Sequence, residues 1–110
     1  MIEIRGYIDE QGNKRFADWL MQLDTNAAAR VTTALARIEQ GNLSNVKSVG
    51  GGVFEYKIDF GPGYRIYFGR DGDRLVILIG GGSKSRQSKD IAAANDCWAD
   101  YKRGKKQEIH

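Results

Sequence analysis

The sequence predicts a single α+β domain in which a mostly antiparallel sheet packs against a helical hairpin and a C-terminal helix. Apolar residues repeat at helical spacing in two early segments, alternate with polar residues in later segments, and return to helical spacing near the end. The predicted order of elements is therefore β-α-α-β-β-β-α. With 110 residues, 41% of them hydrophobic, the chain suits one domain, which we assign to residues 1–103. Residues 104–110 are expected to form a basic, frayed tail.

The first half of the chain contains a short strand and two helices. Alternation in IEIRGYI predicts a strand that ends near Gly6. We expect Asn13 to cap the first helix, Asp24 or Thr25 to cap the second, and Gly41 to end it. The apolar stripe of the first helix consists of Phe16, Trp19, Leu20 and Leu23, and that of the second of Val31, Leu35 and Ile38. Two helices this close in sequence form an antiparallel hairpin.

The second half of the chain is predicted to form a loop, three strands and a helix. NLSNVKSVGGG has no clear period and ends in three glycines, so it is interpreted as a loop. VFEYKIDF and YRIYFG alternate apolar with polar residues, and RLVILIG is apolar enough for a central strand. Apolar residues at helical spacing predict the last helix over about 88–103.

The Gly-Pro-Gly turn determines what lies opposite Arg65. If residues 61–63 form a three-residue loop, Arg65 lies opposite Asp59 and Tyr67 lies opposite Lys57, all on the polar face of the hairpin. One interpretation of Arg65 is an exposed cross-strand ion pair with Asp59, worth about 0.2–1 kcal/mol. The other is a site that handles an anion.

Composition excludes several classes of function. No apolar run reaches the roughly 18 residues of a membrane span, and charges occupy the place of a signal peptide's apolar stretch, so we expect a cytoplasmic protein. Cys97 is the only cysteine and His110 the only histidine, which rules out an internal disulfide and a Cys/His metal site. We expect neither a metal nor a cofactor, and we interpret Cys97 as a small buried hydrophobe.

Cations are concentrated in the second half of a chain whose net charge is +3. GGGSKSRQSKD follows the last strand, and its glycines and serines before a helix could hold a phosphate, although the P-loop spacing is absent. A solvated connection with a capping serine explains the same residues. The candidate basic patch consists of Lys57, Arg65, Lys84, Arg86 and Lys89, with Tyr67 available for stacking on a base.

The runs GGVFEYKIDFGPGYRIYF and GGSKSRQSKDI resemble the RelE/ParE toxin superfamily, most closely its phage-derived, HigB-like branch of addiction-module killer proteins. The resemblance implies a cytoplasmic toxin that a cognate antitoxin, often of helix-turn-helix type, neutralises by binding. RelE-type members are mRNA interferases: they enter the ribosome and cleave mRNA, which inhibits translation. Two alternatives stay open: a ParE-like inhibitor of DNA gyrase, and a non-catalytic protein of the toxin fold that mainly binds its antitoxin.

The resemblance also implies roles for particular residues. Arg65 matches the family's arginine after Gly-Tyr, Lys57 matches the first lysine of its Lys-x-Lys strand motif, and Lys84 falls where a basic residue follows the final strand. These three are the expected catalytic residues. The expected RNA-binding residues are Arg86, Lys89, Tyr67 and, from the unplaced loop, Lys47. The sequence departs from the family at Asp59, where the second lysine would stand, and at Asp90, where the family has an aromatic acid/base candidate.

Overall fold

A computed structural model describes residues 1–108 of the protein, with side chains described through residue 105. The strands are β1 (Glu3–Gly6), β2 (Val46–Gly50), β3 (Val53–Ile58), β4 (Tyr64–Asp71) and β5 (Leu75–Ser83). The helices are α1 (Arg15–Met21), α2 (Thr25–Glu39) and α3 (Gln87–Glu108), and a short 3-10 turn (Lys84–Arg86) precedes α3. The strands form one sheet in the order β1-β5-β4-β3-β2, in which only the β1–β5 pair is parallel. The predicted α+β class is confirmed.

Helices cover both faces of this sheet. On one face, α1 and α2 contribute Phe16, Val31, Ala34 and Ile38 to a core whose strand residues are Tyr56, Ile58, Ile66, Phe68, Val76 and Leu78. On the other face, α3 contributes Ala94, Cys97 and Trp98 to a second core with Val53, Tyr67, Ile77 and Ile79. Cys97 is a buried free thiol whose pKa is raised by burial, which confirms its interpretation as a small hydrophobe.

The predicted ends of the first two helices are correct in part. The Asp24 carboxylate accepts a hydrogen bond of 2.8 Å from the backbone N–H of Ala27, which confirms it as the N-cap of α2. Gly41 follows α2 with a φ of +82°, as expected of a residue that ends a helix. The prediction that Asn13 caps α1 is wrong, because its side chain instead donates to Asp9, and Lys14 occupies the cap position.

A strand lies where the sequence was interpreted as a loop. Val46–Gly50 pairs with β3 as the edge strand β2, and its register shifts between Ser48 and Gly50. That irregularity interrupts the alternation that would have indicated a strand. The three glycines form the tight turn into β3, with positive φ at Gly50, Gly51 and Gly52.

The hairpin between β3 and β4 has a longer loop than predicted. Ile58, rather than Phe60, pairs with Tyr64, so the loop comprises residues 59–63 and the register is shifted by two residues. Within the loop, the Gly63 N–H donates to the Phe60 carbonyl at 3.0 Å, and Gly61 and Gly63 adopt positive φ. Because the shift is even, every side chain keeps its predicted face, but its partner changes.

The last helix extends beyond the predicted end at residue 103 and continues to Glu108. The Tyr101 hydroxyl donates to the Asp71 carboxylate at 2.5 Å, and Lys105 forms an ion pair with the same carboxylate. These contacts attach the end of α3 to the β4–β5 turn. Of the predicted tail, residues 104–108 are therefore helical, and residues 109 and 110 lie outside the described residues.

Candidate functional site

The three expected catalytic residues come together at one end of the sheet. Lys57 on β3 pairs directly with Arg65 on β4, so their side chains leave the same face. A Cβ placed on Gly63 would lie 3.4 Å from Nη1 of Arg65 and 3.5 Å from Cβ of Lys84. Gly63 is therefore the point at which Arg65 and the start of the 3-10 turn meet.

Arg65 itself is buried, with 5% of its surface exposed. Its Nη1 donates a 2.9 Å hydrogen bond to the Gly63 carbonyl, and its Nε lies 3.6 Å from Oε1 of Glu55. The interpretation of Arg65 as an exposed ion pair with Asp59 is therefore wrong, because the shifted register places Lys57 opposite Arg65 and leaves Asp59 exposed in the loop.

Glu55 connects the elements around Arg65. Its carboxylate is 1% exposed and lies 3.7 Å from Nζ of Lys47, while its second oxygen accepts a 2.8 Å hydrogen bond from Nε2 of Gln87. One carboxylate thus joins β2, β3, β4 and the start of α3. Neither Glu55 nor Gln87 was predicted from the sequence; the correct register, which places Glu55 opposite Tyr67, would have indicated that Glu55 lies beside Arg65.

Tyr67 is fully buried between the sheet and α3. Burial raises the pKa of its phenol, and the nearby carboxylates of Glu55 and Asp90 raise it further. Its hydroxyl has no hydrogen-bond partner within the described part of the chain. The expectation that Tyr67 stacks on an RNA base does not fit this structure, because stacking requires an open ring face.

The remaining predicted cations are exposed. They are Lys47, Lys57, Lys84, Arg86 and Lys89. Lys47 and Lys57 line one groove of about 530 Å³ beside β2 and β3, together with Glu55 and Asp59. We call the set formed by Lys57, Arg65 and Lys84 the cationic end of the sheet. It can attract and orient a phosphate, because clustered positive charge favours anions.

Asp90 lies in the first turn of α3 and pairs with Arg86, one of these exposed cations. Its Oδ1 lies 3.8 Å from Nε of Arg86. Burial raises the pKa of Asp90, and Arg86 opposes that shift. Its Oδ2 is buried without a hydrogen-bond partner among residues 1–105.

The described residues were compared with the geometry of metal sites and of membrane-spanning helices. They contain no group of three or more His, Cys, Asp or Glu side chains arranged to hold a metal ion. None of the described helices is both long enough and apolar enough to cross a membrane.

The fold and this site define a small α+β protein with helices on both faces of its sheet and a cationic surface at one sheet end. Residues 18–96 match the family described as Phage derived protein Gp49-like (DUF891). The match spans more than half of the chain, so the protein belongs to this family, which is a RelE/HigB-like toxin family. The chain is also similar to an uncharacterized protein of Haemophilus influenzae, at 44% identity over 80 residues that cover 72% of this chain and 81% of the relative.

Proposed function

We propose that the protein is the toxin of a type II toxin-antitoxin system and acts in the cytoplasm as a ribosome-dependent mRNA endoribonuclease. Family membership supports a toxin with an antitoxin partner. The observation that carries the proposed activity is the convergence of Lys57, Arg65 and Lys84 at one end of the sheet. Two exposed lysines from separate elements lie beside the buried guanidinium of Arg65, an arrangement that would attract a phosphate group.

The proposed reaction uses the RNA's own 2′-hydroxyl. Its oxygen attacks the adjacent phosphorus and displaces the 5′-oxygen of the next nucleotide, which leaves a 2′,3′-cyclic phosphate and a free 5′-hydroxyl. The protein has to align these atoms and stabilise the charge that develops on the phosphorane oxygens. No histidine lies among residues 1–108, so the reaction depends on positioning and positive charge.

The three cations would have different roles in this reaction, because they differ in exposure to solvent. Lys57 and Lys84 are exposed, so their ammonium groups can contact the phosphate directly. Arg65 is buried and held by Glu55 and the Gly63 carbonyl, so it would act by positioning this end of the sheet rather than by contacting the phosphate. Arg86, Lys89 and Lys47 extend the surface along the RNA backbone, and this role depends on charge alone.

The burial of Arg65 favours a second candidate. A guanidinium that is paired inside the protein is less available to a substrate than a free one, as expected of a toxin-fold protein without catalysis. Such a protein would inhibit DNA gyrase or would mainly bind its antitoxin.

Induction of the protein in a bacterial host, with and without its neighbouring open reading frame, tests the proposal. We expect growth arrest, loss of translation, and new RNA 5′ ends within translated codons. Co-expression of the antitoxin is expected to prevent all three. DNA damage without these RNA ends would support gyrase inhibition, and harmless expression would support the binding protein.

Surface variants separate a catalytic role from a structural one. The double variant Lys57→Ala/Lys84→Ala removes two exposed charges, so it is expected to fold normally and to abolish RNA cleavage. The matched control is Arg74→Ala/Lys102→Ala, which removes two exposed charges away from the cationic end. Equal cleavage by both double variants would contradict the assigned roles.

A further inference from the structure

A cation–π contact attaches the loop between β3 and β4 to helix α2. The Arg30 guanidinium of α2 lies over the ring of Phe60, with Cζ 4.6 Å from the ring centroid. Phe60 is partly buried and packs against the core between the sheet and the first two helices. Its loop neighbours Asp59, Gly61 and Pro62 are exposed. Phe60 therefore fixes this loop to the body of the protein.

A hydrogen-bonded turn transmits the position of Phe60 to Gly63. The Gly63 N–H donates to the Phe60 carbonyl at 3.0 Å, which closes a four-residue turn. Two of its residues, Gly61 and Gly63, have positive φ and the backbone freedom of glycine. Such a turn keeps one position only when packing offsets the entropy that it loses, and the Phe60 ring beneath Arg30 supplies that packing.

Gly63 in turn meets two residues of the cationic end. Its carbonyl accepts the 2.9 Å hydrogen bond from Nη1 of Arg65. A Cβ on Gly63 would lie 3.5 Å from Cβ of Lys84, so the loop and the 3-10 turn approach each other closely there. Lys57 precedes the loop by two residues, on β3. A movement of Gly63 therefore changes the position of Lys84 relative to Lys57.

We propose that Arg30 is a positioning residue for the cationic end. Its contact with Phe60 holds the β3–β4 loop, and the loop holds Arg65 and Lys84. The inference deepens the proposed function and rests on it, because the exposed lysines are taken to orient a phosphate. Groups that align reacting atoms have to be held in place, since small displacements slow a reaction strongly. Arg30 acts through Phe60 and the loop rather than on the phosphate itself.

Hydrogen exchange tests the Arg30–Phe60 contact without RNA. Loss of a cation–π contact at an exposed site corresponds to about a two- to fivefold change in a local opening equilibrium. The Gly63 amide of Arg30→Ala should therefore exchange about two- to fivefold faster than that of the wild type, and the Arg65 Nε–H signal should shift in nitrogen-15 NMR spectra. Arg37→Ala removes the same charge from an exposed arginine about two turns further along α2, and it should change neither signal. Equal Gly63 exchange in the two variants would overturn the inference.

Replacements of Phe60 separate its aromatic face from its apolar bulk. Phe60→Tyr keeps a face beneath the guanidinium, so Gly63 exchange should stay close to that of the wild type. Phe60→Leu keeps apolar packing without that face and should accelerate exchange as Arg30→Ala does. The double variant Arg30→Ala/Phe60→Leu should add little to either single change, because both remove one contact. Fully additive effects would show that Arg30 does not act through Phe60 and would contradict the assignment.

RNA cleavage on purified ribosomes tests the consequence for function. A residue that only attracts RNA changes the protein concentration at half-maximal cleavage, whereas a positioning residue changes the maximal rate. Arg30→Ala should lower the maximal single-turnover rate about threefold at an unchanged half-maximal concentration, and Arg30→Lys should restore most of it, because an ammonium also binds an aromatic face. Arg37→Ala should match the wild type. A maximal rate in Arg30→Ala equal to that of the wild type would refute the positioning role.

Failure of this inference and failure of the proposed function give different results. If the wild type cleaves no RNA, while Arg30→Ala alters Gly63 exchange and the Arg65 signal as expected, the proposed function is wrong and the Arg30–Phe60 contact still holds the loop. If the wild type cleaves RNA and Arg30→Ala cleaves it equally fast, with Gly63 exchange like that of Arg37→Ala, the inference is wrong and the proposed function stands.

Discussion

The guanidinium of Arg65 and the carboxylate of Glu55 face each other inside the protein, with Nε 3.6 Å from Oε1 and neither side chain more than 6% exposed. The distance is that of an ion pair rather than of a hydrogen bond, and neither of these two atoms has a hydrogen-bond partner in the part of the chain that is described. Each charge therefore depends on the other to offset the cost of burial.

Removal of Glu55 is expected to destabilise the fold strongly. Glu55→Ala leaves Arg65 buried without its counter-charge and leaves Gln87 without its acceptor. The free energy of unfolding, measured by urea titration at pH 7, should fall by about 3–5 kcal/mol.

Asp59 provides the matched control for that variant. The predicted register placed Asp59 opposite Arg65, yet Asp59 is exposed in the loop. Asp59→Ala should change the free energy of unfolding by no more than about 0.5 kcal/mol. Similar losses in the two variants would show that the Arg65–Glu55 pair does not stabilise the fold as described.

The faces of β3 and β4 could be predicted from sequence, whereas their register could not. Alternation assigns each residue to a side of the sheet, and a shift of two residues leaves that assignment unchanged. The pattern contains no information about whether the loop holds residues 61–63 or 59–63. The residue opposite Arg65 depended on that choice, so the predicted register placed Asp59 there instead of Lys57.

The burial of the polar face could not be predicted either. Alternation indicates which residues share a face, but only the packing of another element decides whether that face is solvated. Here α3 covers it, and Gln87 reaches Glu55 from the first turn of that helix. The proximity of Lys57 and Lys84 to Arg65 was correctly expected, because adjacent antiparallel strands bring their ends together.

The neighbouring glycines 80 and 81 are expected to respond differently to the same substitution. Gly81→Ala places a methyl group against the Trp19 indole and forces α1 away from β5, which should cost about 1–3 kcal/mol of unfolding free energy. Gly80→Ala adds the same methyl group to open space, so little loss is expected. Thermal unfolding of both variants measures the difference, and equal midpoints would contradict the packing of Trp19 on Gly81.

The free energy of unfolding should fall in acid because of the Asp71 carboxylate. Its hydrogen bonds with Lys105 and Tyr101 hold the pKa of its carboxyl below the ordinary value of 3.8. The resulting stabilisation is present above that value and is lost as the pH falls through the lower, folded-state pKa. Asp71→Asn should therefore be less stable than the wild type at pH 7, and the gap should narrow towards pH 2. Asp73→Asn, in the same turn, is the control, and a gap that does not depend on pH would contradict the prediction.

The contribution of Asp90 to stability should depend on pH in the opposite way. Burial raises the pKa of its carboxyl above 3.8, so the native state holds this proton more tightly than the unfolded chain. The stabilisation that comes from this tighter proton binding is fully present below pH 3.8. It is lost as the pH rises through the folded-state pKa. Asp90→Asn, which carries no charge to desolvate, should therefore be more stable than the wild type at pH 7, with an advantage that shrinks in acid.

The ion pair with Arg86 opposes the loss of stability that comes from burying the Asp90 carboxylate. The two groups are 3.8 Å apart and the Arg86 side chain is 67% exposed, so the pair is worth less than about 1 kcal/mol. Urea titrations at pH 7 and pH 3, with the exposed Asp96→Asn on the same helix as the control, measure the balance. If Asp90→Asn is the less stable protein at pH 7, attraction to Arg86 outweighs the cost of burying the carboxylate, and the prediction is wrong.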